Sequence, residues 1–251
     1  GVDRLAITAK KFGLGKKILD GFIEERSGVV PDTKWKKKFV GQNWYLGETL
    51  HSGIGQGYFQ STPLQICLMT AQIANGGYEI KPRILFDKKN NNLKEYIDYK
   101  NKNPNDPLPT DLLVSNFDLK PLFKNQENIK IIKDAMYSST NEPGGTSYGS
   151  RLNDKRFTFA GKTGSSQIKK FTEAQREAEV KQESLDYKSR DHALFIAFAP
   201  VSDPKYAISV VVEHGGSGSK AAAPLAKKII KKVLERHNLR KSTNGLIGDP
   251  V

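Results

Sequence analysis

One stretch constrains this chain more than any other: Phe159-Ala160-Gly161-Lys162-Thr163-Gly164-Ser165-Ser166. The run that leads into it, Arg156-Phe157-Thr158-Phe159, reads as a strand, and small residues with a single cation follow. A strand edge offers unpaired N–H and C=O groups to an extended ligand. Gly164 carries no side chain to hold such a ligand off. Lys162 sets a positive charge beside it, and an N–H just past Gly164 is placed to stabilise an oxyanion. The same tripeptide also reads as a plain strand ending in a Gly turn. Taken alone, these eight residues leave both readings open.

The chain has 251 residues, enough to bury a full core as one large domain or two small ones. A net charge of +13 raises the question of an anionic partner. The lysines are scattered or sit in Asn-rich runs such as Lys88-Lys89-Asn90-Asn91-Asn92, and no zinc-finger, RNA-binding or basic-zipper pattern occurs, so no nucleic acid is expected. Cys67 is the only cysteine and lies in an apolar run, which excludes a disulfide framework and a Cys-based metal site and marks it as a core residue. No metal and no cofactor is expected. No apolar stretch reaches the roughly 20 residues of a membrane span, and no signal peptide opens the chain. The N-terminus starts directly in a helical pattern, and the chain is expected to be a piece of something longer.

Along the chain, Val2, Leu5, Ala6, Ala9 and Phe12 recur at helical spacing up to Gly13 and Gly15. Gly53 to Tyr58 is a tight Gly-rich turn without dinucleotide spacing. Thr62, Pro63 and Gln65 predict an N-cap, a first helical position and a capping box. The helix they open runs to Asn75-Gly76-Gly77 with little polar face, so it is expected to be largely buried. Residues 87–125 are rich in Lys, Asn, Asp and Pro and read as a surface insertion with little core of its own. Ile129, Ile132, Ala135 and Met136 mark another amphipathic helix. Phe171 to Leu185 reads as a polar excursion. Two strands, Ala193–Phe198 and Tyr206–Val212, flank a hairpin-like turn at Val201–Lys205. A final helix carries Leu225, Ile229, Ile230, Val233 and Leu234, with Pro224 near its first turn. This order predicts an α+β fold with an antiparallel sheet over residues 1–240 and a loose tail over 241–251.

Several separated stretches agree with one family. Gly1-Val2-Asp3-Arg4-Leu5, Glu25-Arg26-Ser27-Gly28, Trp44-Tyr45-Leu46-Gly47-Glu48-Thr49, Gly53-Ile54-Gly55-Gln56-Gly57-Tyr58, Thr62-Pro63-Leu64-Gln65, Ala160 to Ser165 and Arg190 to Pro200 occur in its order. Lys-Thr-Gly on a strand is itself a signature of the active-site serine enzymes that act on penicillin and cell-wall peptides. The chain resembles the C-terminal part of penicillin-binding protein 2, the monofunctional peptidoglycan D,D-transpeptidase of cell elongation. The resemblance implies a penicilloyl-serine transferase fold, here lacking its N-terminal portion. It implies cross-linking of stem peptides through a serine acyl-enzyme, with β-lactams as inhibitors. The catalytic residue it carries over is Lys162, beside the serine of a second motif. Thr163, Gly164 and Ser165 are the substrate-binding residues, with the two hydroxyls on the substrate carboxylate and the Ser165 N–H as half of an oxyanion hole. Many relatives have Thr at the Ser165 position; the hydroxyl is kept. The implied partners are peptidoglycan stem peptides and the membrane glycosyltransferase of the elongation machinery. The implied location is the bacterial inner membrane, with the catalytic domain in the periplasm and the anchor outside this chain.

The family's Ser-x-x-Lys nucleophile motif and its Ser-x-Asn motif are expected upstream of the chain, so the chain alone is expected not to form a penicillin adduct. Formal matches within it read otherwise. Ser166-Gln167-Ile168-Lys169 follows the strand directly, Ser202-Asp203-Pro204-Lys205 is a turn, and in Ser217-Gly218-Ser219-Lys220 the second serine suits an N-cap. Ser139-Thr140-Asn141 and Ser242-Thr243-Asn244 match Ser-x-Asn at a helix end and in the tail. His192 and His214, with Asp191 or Glu213 beside them, lack a Gly-x-Ser-x-Gly elbow and are expected to be structural. Three alternatives remain: a serine β-lactamase or D,D-carboxypeptidase of the same fold, a basic nucleic-acid-binding module, and a noncatalytic structural half-domain.

Overall fold

The computed structural model describes residues 1–19, 24–82, 102, 120–168 and 182–244. Among them are six α-helices: α1 (Val2–Lys11), α2 (Thr33–Phe39), α3 (Leu46–Gly53), α4 (Pro63–Ala74), α5 (Glu127–Asn141) and α6 (Ala223–Asn244). Three strands, β1 (Ala160–Ser166), β2 (His192–Ala199) and β3 (Tyr206–Val212), form one antiparallel sheet in the order β1-β2-β3. Lys162 lies opposite Ile196, and Phe195 opposite Val210.

Strand alternation sorts β2 into two faces. Phe195, Ala197 and Ala199 pack with Phe159 against Ala222, Ala226, Ile230 and Leu234 on the α6 side. Phe198 and Ala160 pack against Phe12, Ile73, Ile129 and Met136 on the side of α1, α4 and α5. Alanines on both β2 and α6 let helix and sheet approach closely. The result is a three-layer arrangement, helices on both faces of the antiparallel sheet, as expected for an α+β chain.

Helix α4 starts where its caps place it. The Gln65 N–H donates to Thr62 Oγ1 (3.2 Å) and the Thr62 N–H to Gln65 Oε1 (3.0 Å), closing the capping box. Beyond Leu64 none of its residues is exposed. The buried set includes Gln65, Thr70 and Gln72 as well as Leu68 and Ile73. These amides act as struts. Gln65 Nε2 donates to the Lys16 and Ser27 carbonyls (2.7 and 2.8 Å), and Gln72 Nε2 to that of Phe12 (3.0 Å). Cys67 is half-buried, not a core residue, with its thiol 3.6 Å from the Ala207 carbonyl.

Three expectations change at their boundaries. The run Arg156–Phe159 is not strand. Asp154 accepts the Arg156 N–H (3.0 Å) and caps a 3₁₀ turn over Lys155–Phe157, so the strand begins only at Ala160. Helix α6 continues through Asn244, four residues into the segment expected to be loose. Most of the 87–125 segment lies outside the described residues, but its last part packs on the core. There Pro121 bridges to Tyr78, Leu122 and Phe123 join the cluster around Ala160, and the Phe123 ring sits 5.1 Å from that of Phe12. The polar excursion over 171–185 lies largely outside the described residues; Gln182–Ser184 form a 3₁₀ turn.

Candidate active site

The C-terminal end of α5 anchors the first half of the Lys-Thr-Gly strand. Thr140 is fully buried, and its hydroxyl accepts the Gly161 N–H (3.1 Å) while lying 3.3 Å from the Gly161 carbonyl. Asn141 Nδ2 donates to the Phe159 carbonyl (2.9 Å). The loop that follows folds back over the helix end. Ser147 donates to the Ser139 carbonyl through both its N–H and its Oγ (3.0 Å each), and its Oγ lies 3.1 Å from Thr140 Oγ1. Gly145 is required there: a Cβ would meet the Ser138 carbonyl oxygen at 2.6 Å. Gly161 is required in turn because a Cβ would overlap the Phe195 ring.

These bonds decide which strand groups face outward. Peptide groups on an antiparallel edge strand alternate between partner and open side. Gly161 turns its N–H and C=O to Thr140, away from β2, so Thr163 and Ser165 turn theirs the same way. Among the described residues no backbone partner covers that edge beyond Gly161. Lys162 is exposed and curls along it, donating from Nζ to the Thr163 carbonyl (2.9 Å) and hydroxyl (3.2 Å). The Thr163 and Ser165 side chains share one face of β1, and Lys162 and Gly164 share the other. Thr163 donates onward to Thr146 Oγ1 (3.2 Å), which lies 3.2 Å from Ser139 Oγ. Behind the edge, Gly218 presses against the strand: a Cβ there would sit 2.5 Å from the Leu194 oxygen and 2.6 Å from the Gly164 oxygen.

The structure therefore brings Lys162, Thr163, Gly164 and Ser165 together on one open edge carrying a cation, two hydroxyls and outward N–H groups. An open strand edge can take an extended chain as an added strand, and a cation beside it suits an anionic group. It needs no enclosed cavity, and the cleft between residues 151–157 and α6 includes none of these four residues in its walls.

The formal serine motifs fall elsewhere. Ser166 pairs across the sheet with His192 at the strand's end. Ser202 sits in the β2–β3 turn, where Lys205 pairs with Asp203 (2.7 Å). The Ser219 expectation is corrected: Ser217, not Ser219, holds the N-cap position of a π-turn over Gly218–Ala222, and the two hydroxyls lie 3.0 Å apart. Among the described residues the hydrogen bonds of Lys162 Nζ go to Thr163 alone. Ser139-Thr140-Asn141 is the strand's anchor, a role hidden in sequence because its partners lie some twenty residues away.

The histidines brace a turn. His192 Nδ1 accepts the His214 N–H (3.0 Å), and His214, at φ 55°, sets its own Nδ1 3.2 Å from the Arg190 carbonyl. Asp191 points elsewhere, accepting the Ile168 N–H and Gln182 Nε2. No group of three or more His, Cys, Asp or Glu side chains suited to a metal occurs among the described residues. No described helix is long and apolar enough to cross a membrane.

Known proteins resemble this chain over nearly its whole length. The penicillin binding protein transpeptidase domain model matches residues 1–231. Peptidoglycan D,D-transpeptidase MrdA of Salmonella typhimurium (strain SL1344) is 30% identical over 235 residues, 94% of this chain and 35% of that protein. MrdA of Acinetobacter baumannii is 31% identical over 228 residues, 90% of this chain and 30% of that protein. Among solved structures, the complex of PBP2 and MreC from Helicobacter pylori superposes with a TM-score of 0.70 at 29% identity, covering 94% of this chain and 36% of that one. Pseudomonas aeruginosa PBP2 in complex with WCK 5153 gives a TM-score of 0.65 at 31% identity, covering 92% and 42%. The chain spans about a third of the length of the curated relatives it matches. With a family model spanning nearly the whole chain and an open Lys-Thr-Gly strand edge at its centre, this chain belongs to the penicillin-binding protein transpeptidase domain family.

Proposed function

We propose that the protein carrying this chain is an elongation-type peptidoglycan D,D-transpeptidase and a target of β-lactams. The observation that carries the reading is the outer edge of β1, where Lys162, Thr163, Gly164 and Ser165 stand exposed or half-buried, with Gly161 and Phe159 tied down behind them. A stem peptide ending in D-Ala-D-Ala lies along this edge as an added strand. Its terminal carboxylate takes the Thr163 and Ser165 hydroxyls. The scissile carbonyl oxygen faces the Ser165 N–H, which donates to the oxyanion as it forms.

The nucleophile in this reading is a serine outside this chain, and its Oγ attacks that carbonyl. Its proton passes to the leaving amine, the C–N bond breaks, and D-Ala departs. An amine of a neighbouring stem then attacks the acyl ester and releases the serine. In this reading Lys162 stands beside the serine of the second motif and faces the substrate carboxylate.

The relatives' names favour transfer to an amine over hydrolysis, which would make a β-lactamase or carboxypeptidase. In this reading the protein works in the periplasm from the inner membrane with the membrane glycosyltransferase of the elongation machinery as a partner, and the likeness to PBP2 in complex with MreC supports an MreC-type protein as another. The test is Lys162→Ala in the full-length protein. Acylation by fluorescent penicillin and cross-link formation are expected to fall on the order of 10²–10³-fold with the fold intact. Unchanged acylation refutes the role of Lys162. Release of free acid in place of cross-linked product, with amine acceptor present, refutes transpeptidation.

A further inference from the structure

We propose that Thr146 is a positioning residue for carboxylate recognition, the middle member of a three-hydroxyl relay that runs from Ser139 to Thr163. The proposal rests on the reading of Thr163 and Ser165 as the carboxylate-binding pair.

The contacts give the relay a direction. Lys162 Nζ carries only donors, so Thr163 Oγ1 accepts from it (3.2 Å) and gives its own proton to Thr146 Oγ1 (3.2 Å). Ser139 Oγ lies a further 3.2 Å beyond. In this arrangement the Thr163 proton points away from an incoming anion. A carboxylate only accepts, so Thr163 must turn its proton to bind one. Thr146 then loses that donor but keeps its own proton, which swings onto Thr163 Oγ1, and the Ser139 hydroxyl donates into Thr146. No heavy atom moves. The chain now runs Ser139 to Thr146 to Thr163 to carboxylate, and each donor polarises the next.

The loop is built to hold Thr146 in this place. Gly144 takes φ 87°, Gly145 is pressed against the carbonyls that end α5, and Ser147 grips the Ser139 carbonyl twice. The residues flanking Thr146 are thus fixed to the helix end that also clamps Gly161. Relay and strand share one frame.

Thr146 is exposed, so Thr146→Val removes the hydroxyl with little effect on packing. The measurement is the ratio of second-order acylation rates of the full-length enzyme by benzylpenicillin and by its methyl ester, which lacks the carboxylate. In Thr146→Val the ratio is expected to shrink roughly 3–10-fold, the size of one lost hydrogen bond. Thr146→Ser is expected to restore it, and Ser139→Ala to shrink it less. An unchanged ratio in Thr146→Val, or equal slowing of both ligands, overturns the assignment. A wild-type enzyme that benzylpenicillin does not acylate overturns the transpeptidase reading and this assignment with it.

Discussion

Thr140→Val tests whether the end of α5 holds β1 in place. The two side chains are nearly isosteric, so the change removes a hydroxyl and leaves the packing. Thr140 is fully buried, and its Oγ1 accepts the buried Gly161 N–H at 3.1 Å. Valine leaves that N–H without a partner, which costs about 1–3 kcal/mol. The single hydroxyl proton serves either the Gly161 carbonyl (3.3 Å) or Ser147 Oγ (3.1 Å), not both at once, and its loss adds about 0.5–1.5 kcal/mol. Ser147 keeps the Ser139 carbonyl, so no second orphan arises there. The sum is about 1.5–4.5 kcal/mol. For a domain of this size it lowers the melting temperature by roughly 3–18 °C. The assay is thermal unfolding of the transpeptidase domain followed by near-UV circular dichroism, with acylation kinetics on the same samples. Thr140→Ser keeps the hydroxyl and is expected to stay near wild type. Because Gly161 immediately precedes Lys162, acylation by Thr140→Val is expected to slow even well below its melting point. A variant as stable and as reactive as wild type would refute the anchor.

Two further outcomes follow from the geometry. Gly218→Ala drives a Cβ into the backbone oxygens of Leu194 and Gly164 and is expected to cost about 1–3 kcal/mol and slow acylation, whereas Gly149→Ala, with nothing within 4 Å, should leave both unchanged; equal behaviour of the two variants in unfolding and acylation assays would discount the contact. The Lys10 ammonium bonded to Asp32 holds that carboxyl below its usual range, against the opposing effect of burial. A depressed folded value stabilises above the unfolded pKa of about 3.9 and is lost as pH falls through the folded one. The melting-temperature difference between wild type and Asp32→Asn is therefore expected near neutral pH and to close on acidification below about pH 4; because asparagine keeps an oxygen to cap Trp35, a difference that persists in acid would refute a charge origin.

What is legible in the sequence is local. The capping box of α4 needs only Thr62, Pro63 and Gln65, and both of its hydrogen bonds lie within one turn. The β2–β3 hairpin follows from two apolar runs around a Pro-containing turn. What stays hidden is set by partners distant in the chain. Lys162 to Ser165 are identifiable as a motif, but which of their peptide groups face outward depends on Thr140, more than twenty residues earlier. Asn141 reads as one end of a Ser-x-Asn match and instead holds the Phe159 carbonyl. Phe157 and Phe159 have strand-like composition, and burial does claim both, but the Asp154 cap turns the backbone into a 3₁₀ turn first. The 87–125 segment reads as a surface insertion because its Lys, Asn, Asp and Pro residues interrupt any apolar period, and Leu122 and Phe123 at its end do not stand out from it.

The arrangement of β1 explains why a motif of such common residues can be selective. A strand edge that binds peptides must stay unpaired, yet an unpaired edge is also open to unwanted pairing with other chains. Here the two demands are divided along one strand. From Phe159 to Gly161 the outward groups are closed by Asn141 and Thr140, side chains of a helix that cannot slide without breaking the Ser147 grip on its end. From Thr163 onward the groups stay open, but the Lys162 ammonium lies along them and occupies the Thr163 carbonyl. A charge held beside the edge disfavours a second strand that brings no anion to match it, while a carboxylate-ended peptide gains from the same charge. Exchanging Lys162 for a neutral residue therefore removes more than the electrostatic role proposed for it: it opens the edge to pairing, and the alanine variant is expected to self-associate more readily than wild type in sedimentation velocity at equal concentration. Identical sedimentation profiles would confine the role of Lys162 to the reaction.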